Sequence, residues 1–258
     1  MDNKNKNCNK KLIAVIVAVI VMVIIAAVFI FRGSNTNEDT PVDNISKEQK
    51  EVKTLEIESE PVEKEPEMLE DYKEYYERNN EFYGWLKIDD TIIDYPVMHT
   101  PDEPNKYLYL DFDGNDYIPG TLFLDYRATT ECDNIIIHGH HMKDQTMFGF
   151  LLRYNDKAFR DEHSIIHFDN LYEKNDYEVV YAFYDRIYDE DDPDFKYYDF
   201  VDVKDDEEYN NAISYFESIS IYDTGITPEY GDQLITLSTC AYHVEDGRFA
   251  VVARKIED

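Results

Sequence analysis

Cys240 closes the stretch Leu234-Ile-Thr-Leu-Ser-Thr-Cys240, whose β-branched and apolar residues predict a strand that brings a thiol to a sheet rim. Such a cysteine can be a small buried hydrophobe, half of a disulfide with Cys132, or a nucleophile. A thiol that attacks a carbonyl needs a base or ion-pair partner to hold the thiolate. It also needs a cation or amide donors for the oxyanion. Three of the seven histidines stand together in Ile137-His138-Gly139-His140-His141-Met142, just past the apolar run Asn134–Ile137. There a strand meets a glycine-containing turn, a usual place for working side chains on a rigid scaffold. Zinc binding is the competing use of the trio. It lacks a well-spaced fourth ligand and the helical His-x-x-x-His arrangement, so no metal site is assigned. His99, His163, His167 and His243 read as surface or half-buried residues.

The cation comes from the C-terminal end. Gln233–Cys240 and Arg248–Lys255 read as two strands joined by the seven residues Ala241–Gly247, consistent with antiparallel neighbours. Cys240 ends the first and Arg248 opens the second, so both side chains are expected at one rim. Arg254 shares the face of Arg248 but lies roughly 20 Å farther along the strand, which makes Arg248 the better candidate.

The elements that must hold these groups are mostly strands. Trp85–Ile88, Thr91–Val97, Thr121–Asp125, Asn134–His138, Ile165–Phe168 and Tyr177–Ile187 are further short runs rich in Val, Ile, Tyr, Phe and Thr. Met68, Tyr72, Tyr75, Tyr76 and Phe82 fall at helical spacing and predict an amphipathic helix ending near Asn79–Asn80. Asp205 to Ile219 predicts a later helix, opened by acidic residues that suit its positive end. Many short strands with few helices give a mostly-β domain, closed into a barrel.

Charge divides the 258-residue chain. Its 25 Lys+Arg against 56 Asp+Glu give a formal net charge of -31, which excludes a nucleic-acid binder of the usual cationic kind. With 43% hydrophobic residues and 22 Tyr, the chain is nonetheless suited to a packed domain. Three cysteines are too few for a disulfide framework. Residues 1–11 form a basic tip, and Leu12 to Phe31 is an uninterrupted apolar run of 20 residues, the length of a membrane-spanning helix. Residues 1–32 carry five Lys/Arg against one Asp, so the remainder carries -35. The basic flank predicts a single-pass membrane protein with a cytoplasmic N-terminus and everything after Phe31 outside the cell. A cleaved signal peptide is the rival, although the apolar run is long for one and no small-x-small site follows it cleanly. Residues 32–66, rich in Asn, Thr, Ser, Glu, Lys and Pro, are expected to be an acidic flexible tether. Residues 67–258 are expected to be the catalytic domain.

Thr236-Leu-Ser-Thr-Cys240, Gly139-His140-His141-Met-Lys-Asp-Gln-Thr-Met-Phe148 and Gly247-Arg248-Phe-Ala-Val-Val-Ala253 together resemble a sortase, specifically of class B. Gly84-Trp-Leu-Lys-Ile88, Ile93-Asp-Tyr-Pro-Val97, Tyr107-Leu108, Gly120-Thr-Leu-Phe-Leu-Asp-Tyr-Arg127 and Ile166-His-Phe-Asp-Asn170 extend the likeness from about Met68 to the C-terminus. The stretch between Ile187 and Leu234, with its helix, is similar to the class B insertion. The resemblance implies an eight-stranded sortase-type barrel with an N-terminal helix and an inserted helix, preceded by one transmembrane helix. It implies a cysteine transpeptidase of the thiol-protease class, without a cofactor. Cys240 would be the nucleophile, His140 the acid/base partner and Arg248 the group that positions substrate and oxyanion. Leu108 and Ser238 are carried over as substrate contacts, with Asn105 nearby. The implied partners are exported proteins with a C-terminal sorting motif, cleaved after Thr, and a peptidoglycan or pilin amine that accepts the acyl group. His138 stands two residues before His140, where an aromatic is common in the family. Two other readings compete: an L,D-transpeptidase-like cross-linking enzyme, which would want an Arg where Tyr242 stands, and a non-catalytic anchored adhesin or binding module.

Overall fold

The computed structural model describes residues 66–257. Eight strands close a barrel: β1 (Phe82–Lys87), β2 (Asp94–Met98), β3 (Leu122–Leu124), β4 (Asn134–His138), β5 (Ile165–Asn170), β6 (Asp176–Arg186), β7 (Leu234–Cys240) and β8 (Gly247–Lys255). Their order around the barrel is β1-β2-β3-β4-β7-β8-β6-β5, with β5 returning to β1. Two neighbour pairs, β2–β3 and β4–β7, are parallel and the rest antiparallel. Parallel partners need long crossovers. The chain between β4 and β7 accordingly holds β5, β6 and two of the three α-helices of the described residues.

The helices are α1 (Glu70–Arg78), α2 (Lys157–Glu162) and α3 (Asp206–Ile219). α1 ends where expected, but Phe82 belongs to β1; it joins the helix's aromatic stripe by packing its ring 5.7 Å from Tyr72. α2 is absent from the sequence expectations, since six residues offer too little periodicity to read. In α3, Asp205 caps the first turn by accepting from the Glu208 amide at 3.0 Å. Its buried residues Tyr209, Ala212, Ile213 and Phe216 recur at i, i+3, i+4 and i+7, the spacing of a single apolar face. That face covers Val180, Phe183, Ala250 and Val252 on β6 and β8, with the Phe183 and Phe216 rings stacked at 5.3 Å.

The expected strands all form, with ends shifted by one to three residues. β4 matches its expected range. Ile135, Ile136 and Ile137 are all buried, because a parallel neighbour in a covered sheet leaves neither face to solvent. Among the described residues no helix is long and apolar enough to cross a membrane. The expected span 12–31, the tip and most of the tether lie outside the described residues.

Candidate active site

Two ladders converge on one rim of the barrel. In the antiparallel β7–β8 pair, Cys240 stands opposite Arg248, as the hairpin reading expected. In the parallel β4–β7 pair, His138 stands opposite Ser238. The Gly139 amide extends that ladder by donating to the Ser238 carbonyl at 3.2 Å, and the Thr239 hydroxyl donates to the Gly139 carbonyl at 2.7 Å. His140 therefore leaves β4 at the level where Cys240 leaves β7.

Gly139 permits this exit. A Cβ there would stand 2.4 Å from Leu122 Cδ2 and 2.7 Å from the Phe148 ring, closer than any side chain tolerates. The half-buried His140 ring donates from Nε2 to the Leu108 carbonyl at 2.7 Å and lies 5.2 Å from the Tyr109 ring. A carbonyl only accepts, so Nε2 keeps its proton in both ionisation states and Nδ1 is the nitrogen that exchanges one. The Leu108 carbonyl is itself fixed by a tight approach. Gly120, at φ 64°, would drive a Cβ to 2.4 Å from that oxygen, and the Thr121 amide donates to the Tyr107 carbonyl at 3.0 Å.

The other two histidines of the trio have other partners. His141 donates from Nδ1 to the Cys240 carbonyl at 2.9 Å, tying the segment after β4 to the backbone of the nucleophile candidate. The His138 ring lies 3.6 Å from Asp125 and packs 5.4 Å from Phe123. Among the described residues no group of three or more His, Cys, Asp or Glu is arranged to hold a metal ion.

Cys240 and Arg248 are half-buried. Arg248 Nη1 donates to the carbonyls of Asp246 and Gly247 at 3.1 and 3.0 Å, which anchors the guanidinium beside the hairpin turn. Its Nε and Nη2 have no partner among the described residues. Cys132, in contrast, is buried in the main core, with its thiol pushed up to about 11 by burial. Both cysteines are free, which removes the disulfide reading. Cys240 is the more accessible of the two.

A cleft of about 410 Å³ opens along this rim. Cys240, His140, Arg248, Leu108 and Ser238 all line it, together with Asn105. Ser238 is only 3% exposed, and its hydroxyl shares a 2.8 Å hydrogen bond with Tyr197, so its place is in the cleft floor. One wall joins His138 of the trio to two residues that the sequence reading gave no role, Asp125 and Arg127. Arg127 donates to Asp125 from Nε and Nη2, and to Asp199 and the Tyr198 carbonyl from its other protons. Burial alone would raise the Asp125 pKa. The neighbouring His138 and the Arg127 bonds outweigh that and hold the carboxyl far below the usual range. The signal was present as Asp125-Tyr126-Arg127, but nothing local shows that its salt bridge faces a cleft.

The comparisons with known proteins agree on one family. The family model for the Sortase domain matches residues 86–256. Sortase B of Staphylococcus aureus is 32% identical over 183 residues, covering 69% of this chain and 72% of that protein. A crystal structure of sortase B from Bacillus anthracis superposes with a TM-score of 0.65 at 32% identity, over 76% of this chain and 88% of that one. A Staphylococcus aureus sortase B–substrate complex gives 0.65 at 29% identity, over 74% and 86%. With the cysteine, histidine and arginine on one rim of a closed eight-stranded barrel, and the family match spanning most of the described residues, the chain belongs to the sortase family and is of the sortase B type.

Proposed function

We propose that the protein is a membrane-anchored cysteine transpeptidase acting outside the cell. It cleaves a sorting motif after Thr near the C-terminus of an exported protein and transfers the acyl group to a cell-wall or pilin amine. The observation that carries the assignment is the convergence of two ladders, which brings Cys240, Arg248 and His140 to one end of one cleft.

Each group then has a task set by its surroundings. The Cys240 thiolate attacks the carbonyl carbon of that Thr, and the electron pair moves to its oxygen. The free Nε and Nη2 protons of Arg248 are the donors available to that oxyanion. Protonated His140 gives its Nδ1 proton to the departing amine, because Nε2 is committed to Leu108. This leaves a thioester on Cys240. An incoming amine attacks it, neutral His140 takes the amine's proton back on Nδ1, and the thiolate is released. Leu108 and Ser238 line the cleft through which the motif approaches. The apolar run 12–31 supports the anchoring and the basic tip supports a cytoplasmic N-terminus.

The test is to incubate the full-length chain with a library of Thr-containing sorting-type peptides and map adducts by mass spectrometry. A truncated peptide bonded to Cys240, discharged by an added amine, is expected. Failure to form any adduct, or an adduct that persists in Cys240→Ala, would overturn the assignment.

A further inference from the structure

Asp185 is a buried carboxylate that the chemistry above leaves unused. It lies on β6, 7% exposed. Register places it opposite Arg248, which in turn stands opposite Cys240. Directly opposed residues of an antiparallel ladder project from the same face, with Cβ atoms about 4.5–5.5 Å apart. Cys240, Arg248 and Asp185 therefore form one row across β7, β8 and β6. The next row is Ser238, Ala250 and Phe183. It is covered by Tyr197 and Phe216, so the segment between β6 and β7 packs on this shared face.

Three neutral donors hold the Asp185 carboxylate: the Tyr188 and Tyr215 hydroxyls, each at 2.9 Å, and the Arg186 amide at 2.8 Å. Among the described residues no Lys, Arg or His nitrogen comes within 4.0 Å of it. A buried charge without a direct counter-ion is costly to keep, and the cation in its row is Arg248. A closed ion pair would use up the guanidinium donors that an oxyanion needs. From beyond 4.0 Å Asp185 can attract Arg248 without consuming them.

We propose that Asp185 is a positioning residue for Arg248: its buried charge holds the guanidinium over the row that contains Cys240, leaving Nε and Nη2 free for the substrate. This rests on the roles given above to Cys240 and Arg248. Tyr215, from α3, is one of the three donors that hold the carboxylate.

The experiment uses the full-length chain, a hexapeptide pool with one Thr fixed and the other positions randomised, and hydroxylamine as acceptor. Hydroxamate products are read by mass spectrometry at subsaturating peptide. Asp185→Asn is expected to lower the rate about tenfold in the wild-type background, and by less than twofold in the Arg248→Ala background. A loss below twofold in the first background, or an equal tenfold loss in both, would overturn the proposal. Tyr215→Phe leaves the charge in place, held by Tyr188 and the Arg186 amide, and should keep at least half the rate. A loss as large as that of Asp185→Asn would instead make Asp185 a plain anchor for α3. Should Asp185→Asn not fold, Asp185→Ser serves in the same comparisons. A wild-type chain that yields no hydroxamate, or a Cys240→Ala chain that does, would fail the transpeptidase reading itself, and the proposal with it.

Discussion

Cys240 and Cys132 show how far environment decides what a thiol does. One is sunk in the main core with its ionisation suppressed by burial; the other opens on a cleft opposite an arginine. Arg248 is the sharper test of the assignment, because a second arginine lies on the same strand and face. Arg248→Ala is expected to cost at least about 2.7 kcal/mol in transition-state stabilisation, roughly a hundredfold in rate. Arg254→Ala should stay near wild type in activity, since that side chain sits 3.7 Å from Asp232 and opposite Leu234, at the far end of the hairpin. Cys240→Ala and His140→Ala should each abolish acyl transfer. A sluggish Arg254→Ala beside a healthy Arg248→Ala, measured on the same peptide, would reverse the hairpin argument. Cys240 and Arg248 were legible in the sequence because they flank one short hairpin connection, and His140 because it follows a strand at a glycine-containing turn. The Asp125–Arg127–His138 wall was not, because its meaning depends on β3 and β4 pairing and on Tyr198 and Asp199 arriving from a distant segment.

At the scale of elements, the sequence revealed strands better than it revealed their partners. The β7–β8 hairpin could be inferred from seven connecting residues, whereas the parallel β4–β7 pair spans α2, β5, β6 and α3 and leaves no local trace. Yet that parallel ladder is what sets His140 beside Cys240. Gly139 is its exposed weakness. A methyl group there would meet the Leu122 side chain and the Phe148 ring at distances that force one of them to move. Gly139→Ala is expected to destabilise the fold by about 1–3 kcal/mol through overpacking. It should also lower activity beyond what the stability loss explains, because His140 is the next residue. Thermal melting and peptide turnover on the same sample separate the two effects. A variant that melts earlier but turns over normally would show that His140 is held by its Leu108 bond alone.

Over the whole molecule, charge works in two directions at once. The part after residue 32 carries -35, so its carboxylates repel one another at neutral pH and acid relieves that strain. Asp125 works the other way. Its side chain is 10% exposed, its partners are Arg127 and His138, and its folded pKa is held far below the ordinary carboxylate value. A depressed folded pKa gives stability that is complete above the unfolded value of about 3.9 and is lost as pH falls below it. Asp125→Asn should therefore be about 2 kcal/mol less stable than wild type at pH 7, from the lost charged hydrogen bonds. Below about pH 4 the gap should narrow by up to about 1.4 kcal/mol per pH unit, because only the wild type still has this proton to gain. Both proteins share every other carboxylate, so the general relief of repulsion cancels in the difference. Urea midpoints at pH 7, 4 and 2.5 read it directly. Curves that stay parallel across that range would mean that Arg127 and Asp199 hold the cleft wall without Asp125, and that the buried charge is incidental to it.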